Sequence, residues 1–149
     1  MYEITTEQFP GLDFLTMSES LPREQVGEFL GRAYQRLFGA LDAAGVAPVG
    51  PPIARYRVDE TAFHVTAGVP FEGEFSPSEP LEVVPIAATT IATTIHRGSY
   101  EGLQEAFHAV IEWIAANGFQ ISGDPWECYL DGPEVAEPRT QVCFPVVAA

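Results

Sequence analysis

Lysine is absent from the 149-residue chain, so seven arginines carry all the positive side-chain charge. Against them stand 21 Asp and Glu, for a net charge of −14. Proteins that hold nucleic acid release counterions from phosphates with a basic surface, and this chain would repel a polyanion instead. No nucleic-acid partner is therefore expected. The excess acid favours solubility and can attract cations, and most of it reads as a solvated surface. Only two cysteines are present, Cys128 and Cys143. They exclude a disulfide-rich scaffold and a Cys-only zinc site, and each sits in an apolar run that suits a buried free thiol. His64, His96 and His108 are scattered, so neither a metal site nor a cofactor is expected. No apolar run reaches the roughly 18 residues needed to span a bilayer. The N-terminus has neither a positive n-region nor an apolar h-region, so the expected location is cytoplasmic, with no membrane partner.

What is present is a globular composition, 46% hydrophobic and 19% charged. It suits one domain over residues 1–149, or two half-sized repeats around one core. Val26, Phe29, Leu30, Ala33, Leu37 and Leu41 recur at helical spacing, with Pro22 at the start and Gly45 just past the end. Leu103, Phe107, Val110, Ile111 and Ile114 form a second stripe. Ser99 is its expected N-cap, and Asn117-Gly118 its stop. Ile53–Val58 and Ala62–Phe71 read as a hairpin around Asp59-Glu60. Ile86–His96, Trp126–Leu130 and Thr140–Val147 also have strand character, and Glu3–Phe9 and Phe14–Met17 have it more weakly. Glu72–Glu82, with its Glu and Pro, reads as an exposed connector.

The two helical segments point to a repeat. Gly45 and Gly118 lie 73 positions apart, and at that offset Leu30 meets Leu103, Ala33 meets Ala106, Leu37 meets Val110 and Tyr56 meets Tyr129. With a two-residue gap, Val69-Pro70 meets Phe144-Pro145. Each half, about 1–75 and 76–149, thus reads strand, helix, strand, strand. Half a core is too little to bury a helix, so two copies are expected to share one. The expected class is α+β: duplicated, SHS2-like β-α-β-β units in one antiparallel sheet, two long helices on one face, and a central ligand cleft.

The motifs Gly50-Pro51-Pro52-Ile53-Ala54-Arg55-Tyr56, Ala67-Gly68-Val69-Pro70 and His96-Arg97-Gly98-Ser99-Tyr100 occur in that order. They are followed by Trp113-Ile114-Ala115-Ala116-Asn117-Gly118, Trp126-Glu127-Cys128-Tyr129-Leu130 and Arg139-Thr140-Gln141-Val142-Cys143-Phe144-Pro145. The ordered set resembles the GyrI-like family of small-molecule-binding proteins, whose module is also the effector-binding domain of AraC-type and MerR-type multidrug-responsive regulators. The chain has no room for the helix-turn-helix domain of those regulators and resembles the stand-alone members. Some of these are similar to gyrase-modulating proteins. Others form a subfamily of cyclopropanoid hydrolases, which open the cyclopropane of DNA-alkylating natural products inside an aromatic cage.

Glu127 is the first candidate for chemistry. Alternation puts it with Tyr129 on one strand face, and Trp126, Cys128 and Leu130 on the other. Facing a cleft, a desolvated carboxylate can hold a cation or act as a general base. Facing solvent, it is an ordinary surface residue. Periodicity does not choose between the two, but the resemblance implies an acidic residue of the ligand site here, and a tyrosine at Tyr100. Tyr56, Tyr129, Trp113, Phe71 and Phe144 are further candidates to line the cleft. Phe29, Phe38 and Phe107 read as core. Ser99 beside His96 lacks a Gly-x-Ser-x-Gly elbow, and Glu105 with His108 reads as a solvated helix face. Three functions remain open at this point. The first is sequestration of amphipathic, aromatic or cationic small molecules. The second is a hydrolase in which Glu127 activates water and Tyr100 holds the substrate carbonyl. The third is a gyrase-interacting modulator.

Overall fold

A computed structural model describes residues 2–58, 63–132 and 134–149. The expected turn at Asp59-Glu60, Ala62 and Pro133 lie outside the described residues. The fold is α+β, and the strands pair antiparallel within each of its two units. In chain order the elements are β1 (Thr5–Phe9), β2 (Leu12–Leu21), α1 (Val26–Ala43), β3 (Ile53–Val58), β4 (Phe63–Phe71), β5 (Glu82–Ile86) and β6 (Thr89–Arg97). α2 (Leu103–Ala116), β7 (Phe119–Ile121), β8 (Trp126–Tyr129) and β9 (Arg139–Ala148) follow. A single 3-10 turn leads into each helix, Arg23–Gln25 before α1 and Tyr100–Gly102 before α2.

The chain divides into two compact units. One is Gly11–Ala87, with strand order β3-β4-β2-β5. Phe29, Ala33, Leu37 and Leu41 of α1 are buried there against Leu15, Val65, Ala67, Val69 and Phe71. The other is Met1–Pro10 with Ala88–Ala149, with strand order β1-β6-β9-β8 and β7 also paired to β9. There Leu103, Ala106, Val110 and Ile114 of α2 pack on Ala92, Val142, Phe144 and Val146. Both helices stop as expected. Gly45 (φ +70°) and Gly118 (φ +79°) take the left-handed conformation that ends a helix without Cβ strain.

The units repeat one another in register. Ile53↔Gly68 and Tyr56↔Val65 in the first correspond to Trp126↔Cys143 and Tyr129↔Thr140 in the second. Pro48↔Phe71, an isolated bridge, corresponds to Ile121↔Val146 of β7. The shift between copies is not constant. From β1 to β5, and from one 3-10 turn to the other, it is 77 residues; from Gly45 to Gly118 it is 73. The four-residue change is one turn of helix, since α1 has 18 residues and α2 has 14. The outer strands are exchanged as well. β1 directly precedes β2 but pairs with β6, whereas β5 directly precedes β6 but pairs with β2.

Some expectations need correction. Ser99 makes no side-chain capping bond, and α2 begins three residues beyond the 3-10 turn's first residue, capped by Gly102. Phe38 is 38% exposed and Ile111 41%, because each sits one position round from the buried stripe of its helix. The segment expected to be all connector contains the start of β5 at Glu82. No described helix is long and apolar enough to cross a membrane.

Candidate ligand site

The site lies in the unit that contains α2, and strand register builds it. Glu127 of β8 is paired with Val142, and Tyr129 with Thr140. Val142 belongs to the core beneath α2, so Glu127 and Tyr129 stand on the helix side of their strands. Trp126 and Cys128 alternate to the other side. The sequence left the face of Glu127 open, and the register settles it. Glu127 is 6% exposed, and the Tyr129 hydroxyl donates to its Oε1 at 2.7 Å. At the matching position of the other unit stands Ala54, so the buried acid is not a feature of the repeat.

Tyr100 reaches this pair through the segment His96–Gly102. His96, near the end of β6, is buried and paired with Thr140. Its Nε2 lies 2.8 Å from the Ser99 carbonyl, which can only accept, so Nε2–H donates. Its Nδ1 lies 2.8 Å from the Tyr2 hydroxyl. Gly98 (φ +109°) turns the chain, and its N–H donates to the Pro138 carbonyl. A Cβ on Gly102 would lie 3.1 Å from His96 Cε1, so any larger residue there must push the ring aside by a few tenths of an ångström. His96 is thus the post on which the turn is hung. The result is Tyr100 set edge-on to Tyr129, with ring centroids 6.1 Å apart and planes at 77°.

Tyr100 is 45% exposed and faces a negative field. Partial burial, and then the charges of Glu127, Glu134 and Asp131, push its hydroxyl pKa above the usual tyrosine value. The phenol stays protonated and able to donate, and the field that disfavours a phenolate favours a cation. Asp131 is held by Arg139: Nε donates at 2.9 Å and the backbone N–H at 3.0 Å to Oδ2, and Nη2 at 3.2 Å to Oδ1. These bonds keep the Asp131 carboxyl below its ordinary pKa and close the loop between β8 and β9.

Thr140 lies between Tyr129 and His96 in one row across three strands. It is fully buried, and its Oγ1 has no hydrogen-bond partner among the described residues. An unpaired buried hydroxyl costs about 1–3 kcal/mol. Sequence reasoning missed Thr140, Tyr2 and the Asp131–Arg139 clamp. The first was within reach, since alternation with Val142 and Phe144 puts Thr140 on the helix side; the other two depend on long-range packing.

Of the remaining candidates, Tyr56 and Phe71 belong to the Gly11–Ala87 unit, and Phe144 and Trp113 to the unit that contains α2. Tyr56, in the Gly11–Ala87 unit, is edge-on to Phe63 at 6.1 Å, and Phe71 is edge-on to Phe75 within that unit's core. Phe144 is buried against Phe107 beneath α2. Trp113 stacks on Phe119 with planes at 14°, at the far end of α2. Tyr100 and Trp113 are separated by roughly 20 Å of helix rise. Glu105 and His108 are exposed, and no cluster of three or more His, Cys, Asp or Glu that could hold a metal occurs among the described residues.

An α+β domain of two register-matched units, carrying a buried carboxylate under tyrosine rings, has the build of a small-molecule binder. The GyrI-like small molecule binding domain matches residues 2–147, and the chain belongs to that family. The EcmrR C-terminal domain is similar over 100% of this chain and 99% of its own, at 21% identity and a TM-score of 0.88. SAV2435 bound to tetraphenylphosphonium is similar over 97% of this chain and 94% of its own, at 15% identity and a TM-score of 0.73. A hydrolase encoded by lin2189 from Listeria innocua is similar over 97% of this chain and 92% of its own, at 12% identity and a TM-score of 0.72. No curated protein sequence matches the chain.

Proposed function

We propose that the protein binds and sequesters aromatic, amphipathic small molecules, cationic ones above all, at Glu127, Tyr129 and Tyr100. The observation that carries this reading is Glu127, a residue only 6% exposed whose carboxylate is held by Tyr129, itself edge-on to the half-exposed ring of Tyr100. Such a group pairs with a cation, and the rings add stacking and cation–π attraction. The carboxylates of Glu134 and Asp131 extend the negative field around Tyr100. SAV2435, similar in fold, is bound to a lipophilic cation of this kind. Sequestration then protects other targets from such compounds. Calorimetry with tetraphenylphosphonium tests the reading. Saturable, stoichiometric binding is expected, and no heat up to the solubility limit of the cation would overturn it.

A second reading is favoured by the pairing of Glu127 with tyrosines and by the fold shared with the Listeria innocua hydrolase. Here Glu127 takes a proton from water, the water oxygen attacks a cyclopropane carbon, and the strained C–C bond breaks. Tyr100, kept protonated, donates to the substrate carbonyl that receives the released electron pair. Incubation with a cyclopropane-bearing alkylator and mass spectrometry separates the two readings. A product heavier by one water supports hydrolysis, whereas recovery of unchanged compound from a stoichiometric complex supports sequestration.

A further inference from the structure

The face of β8 and β9 turned away from the Glu127 site holds both cysteines of the chain. Register pairs Trp126 with Cys143 and Cys128 with Gln141, so the two cysteines are diagonal neighbours on adjacent strands and share one face. Each thiol is near enough to the other to shift its titration. Cys143 is 1% exposed, and its Sγ also lies 3.7 Å from Thr93 Oγ1. Cys128 is half-buried and open to a small reagent. The pair is therefore asymmetric, one thiol reachable and one sealed behind it.

We infer that Cys128 and Cys143 form a reversible intramolecular disulfide when the protein meets a hydroperoxide, Cys128 attacking and Cys143 resolving. The Cys128 sulfur attacks the peroxide, the O–O bond breaks, and a sulfenic acid and water (or an alcohol) result. The Cys143 sulfur then attacks the Cys128 sulfur. An S–S bond forms, the S–O bond breaks, and the hydroxyl leaves as water with the Cys143 proton. The peroxide is the oxidant, and each sulfur gives up one electron. The roles fit the unequal burial of the two thiols. The neighbouring Cys143 holds the Cys128 pKa below its usual value, and Cys128 together with burial pushes Cys143 up. A diagonal pair is bridged only when the two strands shift toward each other, so the bond is strained and easily reduced.

The sequence makes the test simple. With no lysine, trypsin cuts only after arginine, and Cys128 falls in the peptide Gly98–Arg139 while Cys143 falls in Thr140–Ala149. The folded protein is treated with one equivalent of hydrogen peroxide, capped with iodoacetamide and digested without reductant. The expected result is a cross-linked pair of these two peptides, two hydrogens lighter than their sum and separated by dithiothreitol. In C143S, the reaction should stop at a Cys128 sulfenic acid that dimedone traps. In C128S, Cys143 should remain unmodified. Over-oxidation of Cys128 in the wild-type chain with Cys143 left as a free thiol would overturn the proposal. So would a bridge only between two chains, or no reaction at Cys128.

Discussion

Replacing Glu127 by Gln removes the charge and keeps the shape of the side chain. The amide oxygen still accepts the 2.7 Å bond from Tyr129, so the strand and the Tyr100–Tyr129 contact should stay in place. What disappears is the attraction for a bound cation. A hydrogen-bonded or closely paired charge in a partly buried site is worth about 1.5–3 kcal/mol, which weakens binding roughly 10- to 150-fold. The Coulomb energy of two unit charges about 4 Å apart at an effective dielectric of about 20 sets a ceiling near 4 kcal/mol. Calorimetry with tetraphenylphosphonium and with triphenylphosphine oxide, its neutral ring-bearing counterpart, separates charge from ring contacts. E127Q should lose the cation and retain the oxide. Its melting temperature should stay close to that of the wild type, because the shape of the side chain and its bond to Tyr129 are kept. If the protein is a hydrolase, E127Q turnover should fall about 10²- to 10⁴-fold while substrate still binds. A variant that melts earlier yet binds the cation at full strength would show that Glu127 serves only the fold, and the site would have to be sought elsewhere.

Three other outcomes follow from the same geometry. Thr140→Val should keep or raise the melting temperature, since the hydroxyl it removes has no partner among the described residues; a clear loss of stability would show that the hydroxyl is satisfied. Gly102→Ala puts a methyl 3.1 Å from His96 Cε1, so it should cost about 1–3 kcal/mol in denaturant unfolding and weaken ligand binding by displacing Tyr100. Asp131 has a lowered folded pKa, so its contribution is present above the unfolded value and is lost as pH falls through the folded one. The gap in denaturant midpoint between wild type and D131N should therefore close across the acid range and stay constant above it.

The sequence displayed the helices because their buried positions recur locally, at spacings of three and four, and because Gly45 and Gly118 mark their ends. The same glycines fixed an offset of 73, which holds from the helix ends through β3 and becomes 75 on β4. It fails before them, because one extra turn in α1 is invisible when polar and apolar positions still repeat in phase. The exchange of β1 and β5 was out of reach for a different reason. Strand pairing over this distance leaves no local trace, and each outer strand sits in sequence beside a neighbour it does not pair with. At the site, alternation correctly joined Glu127 to Tyr129 and separated both from Cys128. The choice of face required the partner strand, through Val142. The role of His96 was hidden because its partners are a hydroxyl 94 residues away and a backbone carbonyl.

The exchanged strands also set an order of events during synthesis. Gly11–Ala87 is continuous, so every strand of that unit has been made once Ile86 leaves the ribosome. The segment ahead of it has no such prospect. Thr5 pairs with Thr93, and β1 waits until β6 is complete, an interval of about 5–20 s at ordinary elongation rates. For the last part of that interval, after Ile86 is made, a short strand with unpaired edges trails from a folded unit. Its sequence, Thr-Thr-Glu-Gln-Phe, is polar but for the last residue, which suits a segment that must stay in water without pairing elsewhere. Closure of the second unit is then a long-range step, and the slowest phase of folding should belong to the docking of β1 on β6.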